Sequence, residues 1–407
     1  MYLMQKLLST FMFIVMLLGV ATAASLDGVY HADRFRVYFK NDLGSIEVLE
    51  TRGGAITGFE SFDQLLLEVG ATNVKQWLPK ATDFDRDGDI FLSRFYEVTL
   101  PDVRMNIQEV VSEFSSDEHI LFAERVPIYR LDYEPNDPKY SQQWYIPQVT
   151  ADDAWDMWDI AGGDNPGDEN IVVGIVDTGC DWDHPDLIDN LWQNMDEDYD
   201  GDGATIEYVS GSWQLDSGDL NGVDDDGDSY VDNLIGWDIA MEDNNPVGPP
   251  SGPDRMHGTH VAGVPGATTN NNLGMASLGW RVKHMPIKCA QEDADGIYGG
   301  YNGILCAAQT GADIINCSWG GGGFSGGAQN VINVAHNNYG TIIVASAGNG
   351  DDFGNEEYAA HYPSSYENVI SVTALGTNDV WNHWATYHES VDFAAPGESI
   401  LSTVYAN

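Results

Sequence analysis

The chain has 407 residues, enough for one large domain and a smaller one, and 43% of them are hydrophobic, as in a globular protein. Its 64 acidic and 17 basic residues give it a formal net charge of −47. Nucleic acid and anionic membranes are excluded as expected partners because both would be repelled by so negative a surface. The charge suits a protein that binds cations or one that stays soluble outside the cell.

Residues 1–23 are typical of a secretory signal peptide. Lys6 supplies a positive charge, residues 7–20 are apolar, and residues 21–23 form the small-x-small cleavage site Ala-Thr-Ala. A membrane anchor is the alternative, but an apolar run of about 14 residues is short for a span of roughly 20. We therefore expect a secreted, extracellular protein that has no membrane partner once the signal is cleaved.

A small α+β module is predicted between the signal peptide and about residue 135. Residues 95–100 and 119–131 are strand-like. Between them, one face of a helix is marked by four apolar residues: Ile107, Val110, Val111 and Phe114. Residues 134–138 are polar and rich in proline, which is typical of a linker. The sequence thus divides into residues 24–135 and residues 136–407.

Beyond residue 151, short apolar segments rich in β-branched residues alternate with segments of helical character. The predicted strands are residues 171–176, 313–317, 341–344 and 369–374, and the predicted helices are residues 303–310 and 328–336. Buried strands that alternate with helices predict an α/β fold with a doubly wound parallel sheet. Ligands bind such sheets at the carboxyl ends of the strands, so polar residues there are the first candidates for function.

An acidic, glycine-rich insertion without clear periodicity occupies residues 196–245. It is too long for an ordinary connection, so we expect it to be either disordered or organised by something bound to it.

The sequence has four cysteines, none of them in a CxxC motif: Cys180, Cys289, Cys306 and Cys317. In an oxidising compartment they can form no, one or two disulfides, and three complete pairings are possible. Burial as small apolar side chains is the simplest interpretation.

Three segments that follow predicted strands or begin a helix carry polar residues that are the first candidates for function. They are Asp-Thr-Gly at residues 177–179, His-Gly-Thr-His-Val-Ala-Gly at residues 257–263 and Ala-Gly-Asn-Gly at residues 347–350. Taken alone, Asp177 fits a helix cap, and two histidines three residues apart fit a metal site. Taken together and in this order, the segments resemble the subtilase family (peptidase S8) of subtilisin-like serine proteases, over roughly residues 135–407.

The resemblance implies a catalytic triad in the chain order Asp, His, Ser. Asp177 would accept the imidazole N–H, and His257 would be the general base for the serine and then the acid for the leaving amine. Asn349 would donate to the oxyanion, an interaction worth about 3–4 kcal/mol in such enzymes. Five further residues would pair with or flank a bound protein or peptide substrate: Ser318, Trp319, Gly320, Ala347 and Gly348.

The Gly-Thr-Ser-Met-Ala motif that holds the nucleophile in this family does not occur in the 407 residues. We interpret the sequence as a serine endopeptidase that is incomplete at its C-terminus and inactive as it stands. Residues 24–135 would be a propeptide that assists folding and inhibits the enzyme. The alternative is a secreted, calcium-binding module without catalysis, on a subtilase fold that has lost its activity. Pro265 is expected to shorten or kink the helix that carries His257.

Three aspartate-rich loops space carboxylates two residues apart around a glycine, at residues 83–88, 198–203 and 224–228. Alternate oxygens on a tight loop suit calcium, a hard ion with six to eight oxygen ligands. None is a complete EF-hand, because the twelfth loop position is Arg94, Val209 or Ile235 instead of glutamate. A solvated acidic loop is the alternative.

We expect structural calcium above all at the third loop, with four candidate ligands: Asp224, Asp226, Asp228 and Asp232. Independently, the resemblance implies a family calcium site that uses Asp186 and an asparagine near Asn271. The acidic residues around 351–357 lie close in sequence to the predicted substrate pocket. They suit a basic substrate side chain, whereas a preference for large apolar side chains is an equal alternative.

Overall fold

The structure, a computed structural model, describes residues 30–44, 46–51, 54–101, 106–128, 133–292, 296–351 and 353–405. The predicted signal peptide lies outside these residues. Two compact units divide the chain, one up to residue 131 and one from residue 132. In the described ranges, no helix has the length and apolar character that a membrane span requires.

The first unit contains a four-stranded antiparallel sheet that packs against two helices. Its strands are β1 (Tyr30–Phe39), β4 (Asn73–Gln76), β7 (Phe95–Thr99) and β8 (Ile120–Pro127), in the order β4-β7-β1-β8. Two hairpins are formed by β2 (Leu49–Thr51) with β3 (Gly54–Ile56) and by β5 (Arg86–Asp87) with β6 (Ile90–Phe91). The helices are α1 (Glu60–Glu68) and α2 (Ile107–Ser115). The α+β prediction for this region is confirmed.

The core of the first unit lies between the helices and one face of the sheet. The four apolar residues that mark the face of α2 are all buried, with at most 7% exposure, and they pack with Phe35 and Val37 of β1. At the start of α2, the Asn106 side chain accepts hydrogen bonds from the N–H groups of Gln108 and Glu109. This cap satisfies two donors that have no partner inside the helix.

The second unit is built around a seven-stranded sheet, in which all the neighbouring strands are parallel. The strands are β9 (Val172–Asp177), β12 (Trp237–Asp238), β13 (Lys283–Lys288), β14 (Ile314–Cys317), β15 (Ile342–Ser346), β17 (Val369–Leu375) and β19 (Phe393–Pro396). Their order is β12-β13-β9-β14-β15-β17-β19. Two small sheets pair β10 (Ile206–Val209) with β11 (Ser212–Leu215), and β16 (Glu357–Tyr358) with β18 (Thr386–Tyr387).

Helices cover both faces of the large sheet. The helices of this unit are α3 (Tyr145–Gln148), α4 (Ala151–Trp155), α5 (His257–Gly266), α6 (Gly300–Gln309) and α7 (Gly326–Tyr339). Alternate residues of β9 point to opposite sides, so Val172 and Val176 join a core with α6 and α7, whereas Val173 and Ile175 join a core with α5. The prediction of a doubly wound α/β fold is therefore confirmed, and α5 continues through Pro265 to end one residue later.

Of the strands in the large sheet that the sequence did not predict, β13 is the one in the interior of the sheet, between β12 and β9. A lysine lies at each end of it and Pro286 lies inside it, so it lacks the apolar run of a buried strand. Lys288 is nevertheless only 1% exposed, and its ammonium group forms ion pairs with Asp238, at 2.8 Å, and with Glu292. A buried charge is tolerated here because it is paired.

The four cysteines are buried as free thiols. This agrees with the interpretation that they act as small apolar side chains. Three of them, Cys289, Cys306 and Cys317, belong to the core between the large sheet and α6 and α7.

Candidate active site

Asp177 and His257 come from two different elements and meet at one end of the sheet. β9 ends at Asp177, and α5 begins at His257. The distance between Asp177 Oδ1 and His257 Nδ1 is 2.7 Å; the carboxylate is fully buried, and the imidazole is 46% exposed. A carboxylate on Nδ1 fixes the tautomer that has its basic lone pair on Nε2. The pair has the geometry of a general base held by a buried acid.

The close approach of α5 to the end of β9 depends on Gly258. Its N–H donates to Thr178 Oγ1 at 3.0 Å, while the Thr178 N–H donates to Asp177 Oδ1 at 2.7 Å. A Cβ at position 258 would lie only 2.1 Å from the carbonyl oxygen of Gly179. Only glycine therefore lets His257 lie so close to Asp177.

Replacing Gly258 by alanine is expected to push α5 away from β9 and lengthen the contact between Asp177 and His257. Overpacking of this kind costs about 1–3 kcal/mol of unfolding free energy. Urea unfolding of the purified protein measures the loss. The matched control is Gly327→Ala in α7, where the new Cβ would meet nothing closer than 3.7 Å and the change is expected to be neutral or stabilising. Equal stability of the Gly258 variant and wild type would contradict the account of this contact.

A cavity of about 470 Å³ opens beside His257. Three of the predicted substrate-binding residues line it together with His257: Ser318, Trp319 and Gly320. Trp319 is held in place because its Nε1–H donates to the carbonyl oxygen of Val176 at 2.7 Å and its ring contacts Tyr301 edge-on. The structure thus brings the predicted base and one predicted substrate segment to the same cavity.

The other predicted substrate segment, Ala347 and Gly348, follows β15. The imidazole of His361 lies between it and the first segment: a Cβ on Gly320 would be 2.1 Å from His361 Cε1, and a Cβ on Gly348 would be 3.0 Å from His361 Cδ2. Burial lowers the pKa of His361, so the ring is neutral near pH 7 and donates through Nδ1 to the Ser346 carbonyl. Asn349, the predicted oxyanion donor, comes directly after this segment.

His260, one turn along α5 from His257, has a different environment. Its Nε2 hydrogen-bonds with the carbonyl oxygen of Ile400 at 3.0 Å. It does not line the cavity beside His257. A structural role for His260 fits this placement, and a metal site formed by the two histidines is not supported by it.

The two residues of the implied family calcium site lie in contact. Asn271 Nδ2 donates to Asp186 Oδ1 at 2.9 Å, and the Met275 N–H donates to Asp186 Oδ2 at 2.9 Å. Both carboxylate oxygens are therefore satisfied by protein donors. The structure places these residues together without giving a separate reason for an ion there.

The four predicted ligands of the third loop do not lie in one cluster. Asp224 and Asp226 lie in a cluster in which one carboxylate oxygen of each residue is within 4.8 Å of the others, and its third member is the buried Glu197. Asp232 instead accepts the N–H groups of Asn221 and Gly222 and holds that turn.

Asp228 lies outside this cluster: it accepts hydrogen bonds from the Tyr230 N–H and the Asn233 amide. A second cluster, in the loop at residues 198–203, has three members: Asp198, Asp200 and Asp202. Glu197 was not predicted from the sequence, because no spacing rule links it to a loop so far along the chain.

The comparisons with known proteins agree with this geometry. The model of the subtilase family matches residues 168–407. The chain is similar to a thermophilic serine proteinase of Bacillus sp. (strain AK1), with 30% identity over 344 residues that cover 84% of this chain and 67% of that protein. It is also similar to thermitase of Thermoactinomyces vulgaris, with 32% identity over 273 residues and coverage of 67% and 76%. An extracellular basic protease of Dichelobacter nodosus is 33% identical over 320 residues, with coverage of 72% and 47%.

Proposed function

The chain belongs to the subtilase family of serine proteases, and from that premise we propose that it is the precursor of a secreted endopeptidase whose triad is Asp177, His257 and a serine outside these 407 residues. The observation that carries the proposal is the 2.7 Å contact between the buried Asp177 and the half-exposed His257. That contact lies beside a cavity lined by Ser318, Trp319 and Gly320. The substrates are proteins or peptides.

The proposed chemistry is acyl transfer. His257 Nε2 takes the proton of the serine hydroxyl as its oxygen attacks the carbonyl carbon of the peptide bond. Asp177 stabilises the imidazolium that forms, and Asn349 donates to the oxyanion. The proton then passes from His257 to the amine that leaves, and water hydrolyses the acyl-enzyme by the same steps.

Because the nucleophile motif is not among them, residues 1–407 alone are expected to turn over no peptide substrate. The same chain continued along its reading frame through a Gly-Thr-Ser motif is expected to cleave a generic protein such as casein, and a serine-directed inhibitor is expected to stop it. Release of labelled peptides from casein by the two matched chains measures the difference. Inhibitor-sensitive cleavage by residues 1–407 would contradict the proposal.

The second candidate function is that of a secreted, calcium-binding module without catalysis. The observation that favours it is the pair of acidic clusters in the insertion, none of whose members lines the cavity beside His257. The reading frame beyond residue 407 discriminates the two candidates. A Gly-Thr-Ser motif there supports the enzyme, and its absence supports the binding module.

The first unit is proposed to be the propeptide, a partner that inhibits the mature enzyme and assists its folding. Its support is a core of its own and a boundary close to the proline-rich linker. The predicted signal peptide and the extracellular protease among the relatives support secretion.

Calcium is proposed as a structural cofactor of the insertion. Glu197, buried with one carboxylate oxygen that has no hydrogen-bond partner, fits a cation site beside Asp224 and Asp226. A bound ion would offset the repulsion between these carboxylates and hold the insertion in one conformation.

Calcium at about a hundredfold excess over its Kd is expected to stabilise the protein by about 2.7 kcal/mol. For a protein of this size, the gain corresponds to a rise of several degrees in Tm. Thermal melts in calcium, in magnesium and in chelator measure it, and magnesium is expected to substitute poorly because it keeps its waters and prefers an octahedral site. Equal melting temperatures in the three media would contradict the calcium proposal and would favour the alternative that the loops are solvated acidic surface.

A further inference from the structure

Besides Asp177 of the candidate active site, whose Oδ2 has no hydrogen-bond partner, two carboxylates outside the aspartate-rich loops are buried with one such oxygen each among the described residues. They are Glu197, through Oε2, and Asp219, through Oδ2, and both residues are 0% exposed. Leaving a carboxylate oxygen buried without a donor is costly, and such groups are rare in folded proteins. No lysine or arginine in the described ranges forms an ion pair with either residue. A bound cation would supply the missing partner of each oxygen.

Glu197 is directed into the loop at residues 224–228. Its Oε1 accepts the N–H groups of Asp225, at 2.8 Å, and of Asp226, at 3.3 Å. Its carboxylate also lies in the cluster with Asp224 and Asp226. The unpartnered oxygen thus belongs to a side chain that is fixed against this loop and grouped with two of its carboxylates.

Asp219 makes the same kind of backbone hydrogen bonds to the loop at residues 198–203, but the carboxylate cluster of that loop consists of Asp198, Asp200 and Asp202 and does not include it. Its Oδ1 accepts the N–H groups of Tyr199, at 2.8 Å, and of Asp200, at 3.3 Å. In both loops, the acid from outside binds the N–H groups of the second and third loop residues. The hydrogen bonds of the two acids to the backbone of the loops are therefore equivalent.

The internal hydrogen bonds of the two loops are equivalent as well. The first aspartate accepts from the fourth and sixth residues: Gly201 and Gly203 donate to Asp198, and Gly227 and Ser229 donate to Asp224. The carboxylates of the third and fifth residues each accept a hydrogen bond from the N–H group two positions later. In the loop that starts at Asp198, the N–H groups of Asp202 and Ala204 donate to Asp200 and Asp202. In the loop that starts at Asp224, the N–H groups of Asp228 and Tyr230 donate to Asp226 and Asp228. Two copies of one loop geometry are thus each closed by a buried acid.

We propose that each loop binds one calcium-type divalent cation and that a carboxylate from elsewhere in the insertion completes each ligand set. Glu197 closes the loop that starts at Asp224, and Asp219 closes the loop that starts at Asp198. These two acids replace the glutamate that an EF-hand carries at its twelfth position, where this chain has Val209 and Ile235. The inference rests on the calcium part of the proposed function and is independent of its catalytic part.

The sharpest test is the melting temperature of Glu197→Gln in calcium and in chelator. Glutamine keeps the shape of the side chain and the acceptor for the Asp225 and Asp226 N–H groups but removes the buried charge. Without an ion, loss of an uncompensated charge is expected to raise Tm above that of wild type; with calcium, loss of a ligand is expected to lower it below wild type. A residue of purely structural role would shift Tm in the same direction in both media.

The matched control is Asp225→Asn, which removes one negative charge from the same loop at an exposed carboxylate that bonds with the Asn221 amide. It is expected to leave the gain in Tm from calcium unchanged. If calcium stabilises wild type but Glu197→Gln behaves like Asp225→Asn, the closing role of Glu197 is wrong while the calcium proposal stands. If calcium stabilises neither, both proposals fail.

Calorimetric titration with calcium of protein freed of metal by chelator measures the Kd of both loops. The variants used are aspartates of the loops themselves, so the result does not depend on whether a variant of the buried Glu197 or Asp219 folds. Asp226→Asn and Asp200→Asn are each expected to weaken one class of sites at least about tenfold while leaving the other class at its wild-type Kd. Asp225→Asn is expected to bind as wild type does. Binding of only one cation per wild-type chain, or equal weakening by all three variants, would overturn the assignment of one cation to each loop.

Discussion

Replacement of His257 by alanine in a chain that carries the nucleophile is expected to abolish measurable turnover. The corresponding change in subtilisin lowers kcat by about 10⁶-fold, because the members of the triad act as a unit. In this protein, Asp177 is buried behind His257 and hydrogen-bonds with its Nδ1. Of these two side chains, His257 is therefore the base that can take the proton of the serine. Initial rates on a peptide substrate, measured at saturating concentration, give the change in kcat.

The control for this prediction is His260→Ala. It removes a histidine from the same helix, where the side chain hydrogen-bonds with the Ile400 carbonyl. Loss of that bond is expected to cost about 1 kcal/mol of stability and to leave kcat within a few fold of wild type. A His257 variant that keeps a tenth or more of the wild-type kcat would contradict the assignment of the base.

Replacement of Lys288 by alanine is expected to produce the largest loss of stability that we predict, about 3–5 kcal/mol. The variant leaves the Asp238 carboxylate, which is 1% exposed, without its ion pair at 2.8 Å. Burial already raises the pKa of Asp238, and the charged form is held there by Lys288 and by the N–H groups of Ala240 and Met241. Urea unfolding at pH 7 measures the loss.

A double variant separates the charge from the packing. Lys288→Met with Asp238→Asn removes both charges, keeps the acceptor for the two N–H groups and keeps most of the volume, so it is expected to recover most of the lost stability. Lys139→Ala, at an exposed lysine, is expected to change stability by no more than about 0.5 kcal/mol. If Lys288→Ala costs no more than Lys139→Ala, the account of this buried pair is wrong.

Helices and strands could be predicted from the sequence where their buried residues form an apolar run or recur at a regular spacing. The apolar run before Asp177 became β9, and the spacing of Ile107, Val110, Val111 and Phe114 became the buried face of α2. The strand β13 has no such pattern, because its buried Lys288 is neutralised by Asp238, a residue of the neighbouring strand β12. Compensation between strands depends on the tertiary fold, so the local sequence does not reveal it.

The same limit applies to the candidate sites. Asp177 and His257 could be chosen because they stand in motifs, and their contact then follows from the ends of β9 and α5. Glu197 and Asp219 stand in no motif, and what marks them is burial without a partner for one oxygen. The sequence left two alternatives for the insertion, disorder or organisation by something bound to it, and the hairpin of β10 and β11 within it contradicts the first of them.

The most direct test of the central claim is covalent labelling of the active enzyme with a fluorophosphonate, followed by mass spectrometry of its peptides. We expect one adduct, on the serine of a Gly-Thr-Ser motif beyond residue 407, and its loss in the His257→Ala variant but not in His260→Ala. An adduct on a serine within residues 136–407, or labelling that persists without His257, would contradict the claim that Asp177 and His257 activate a serine outside these residues.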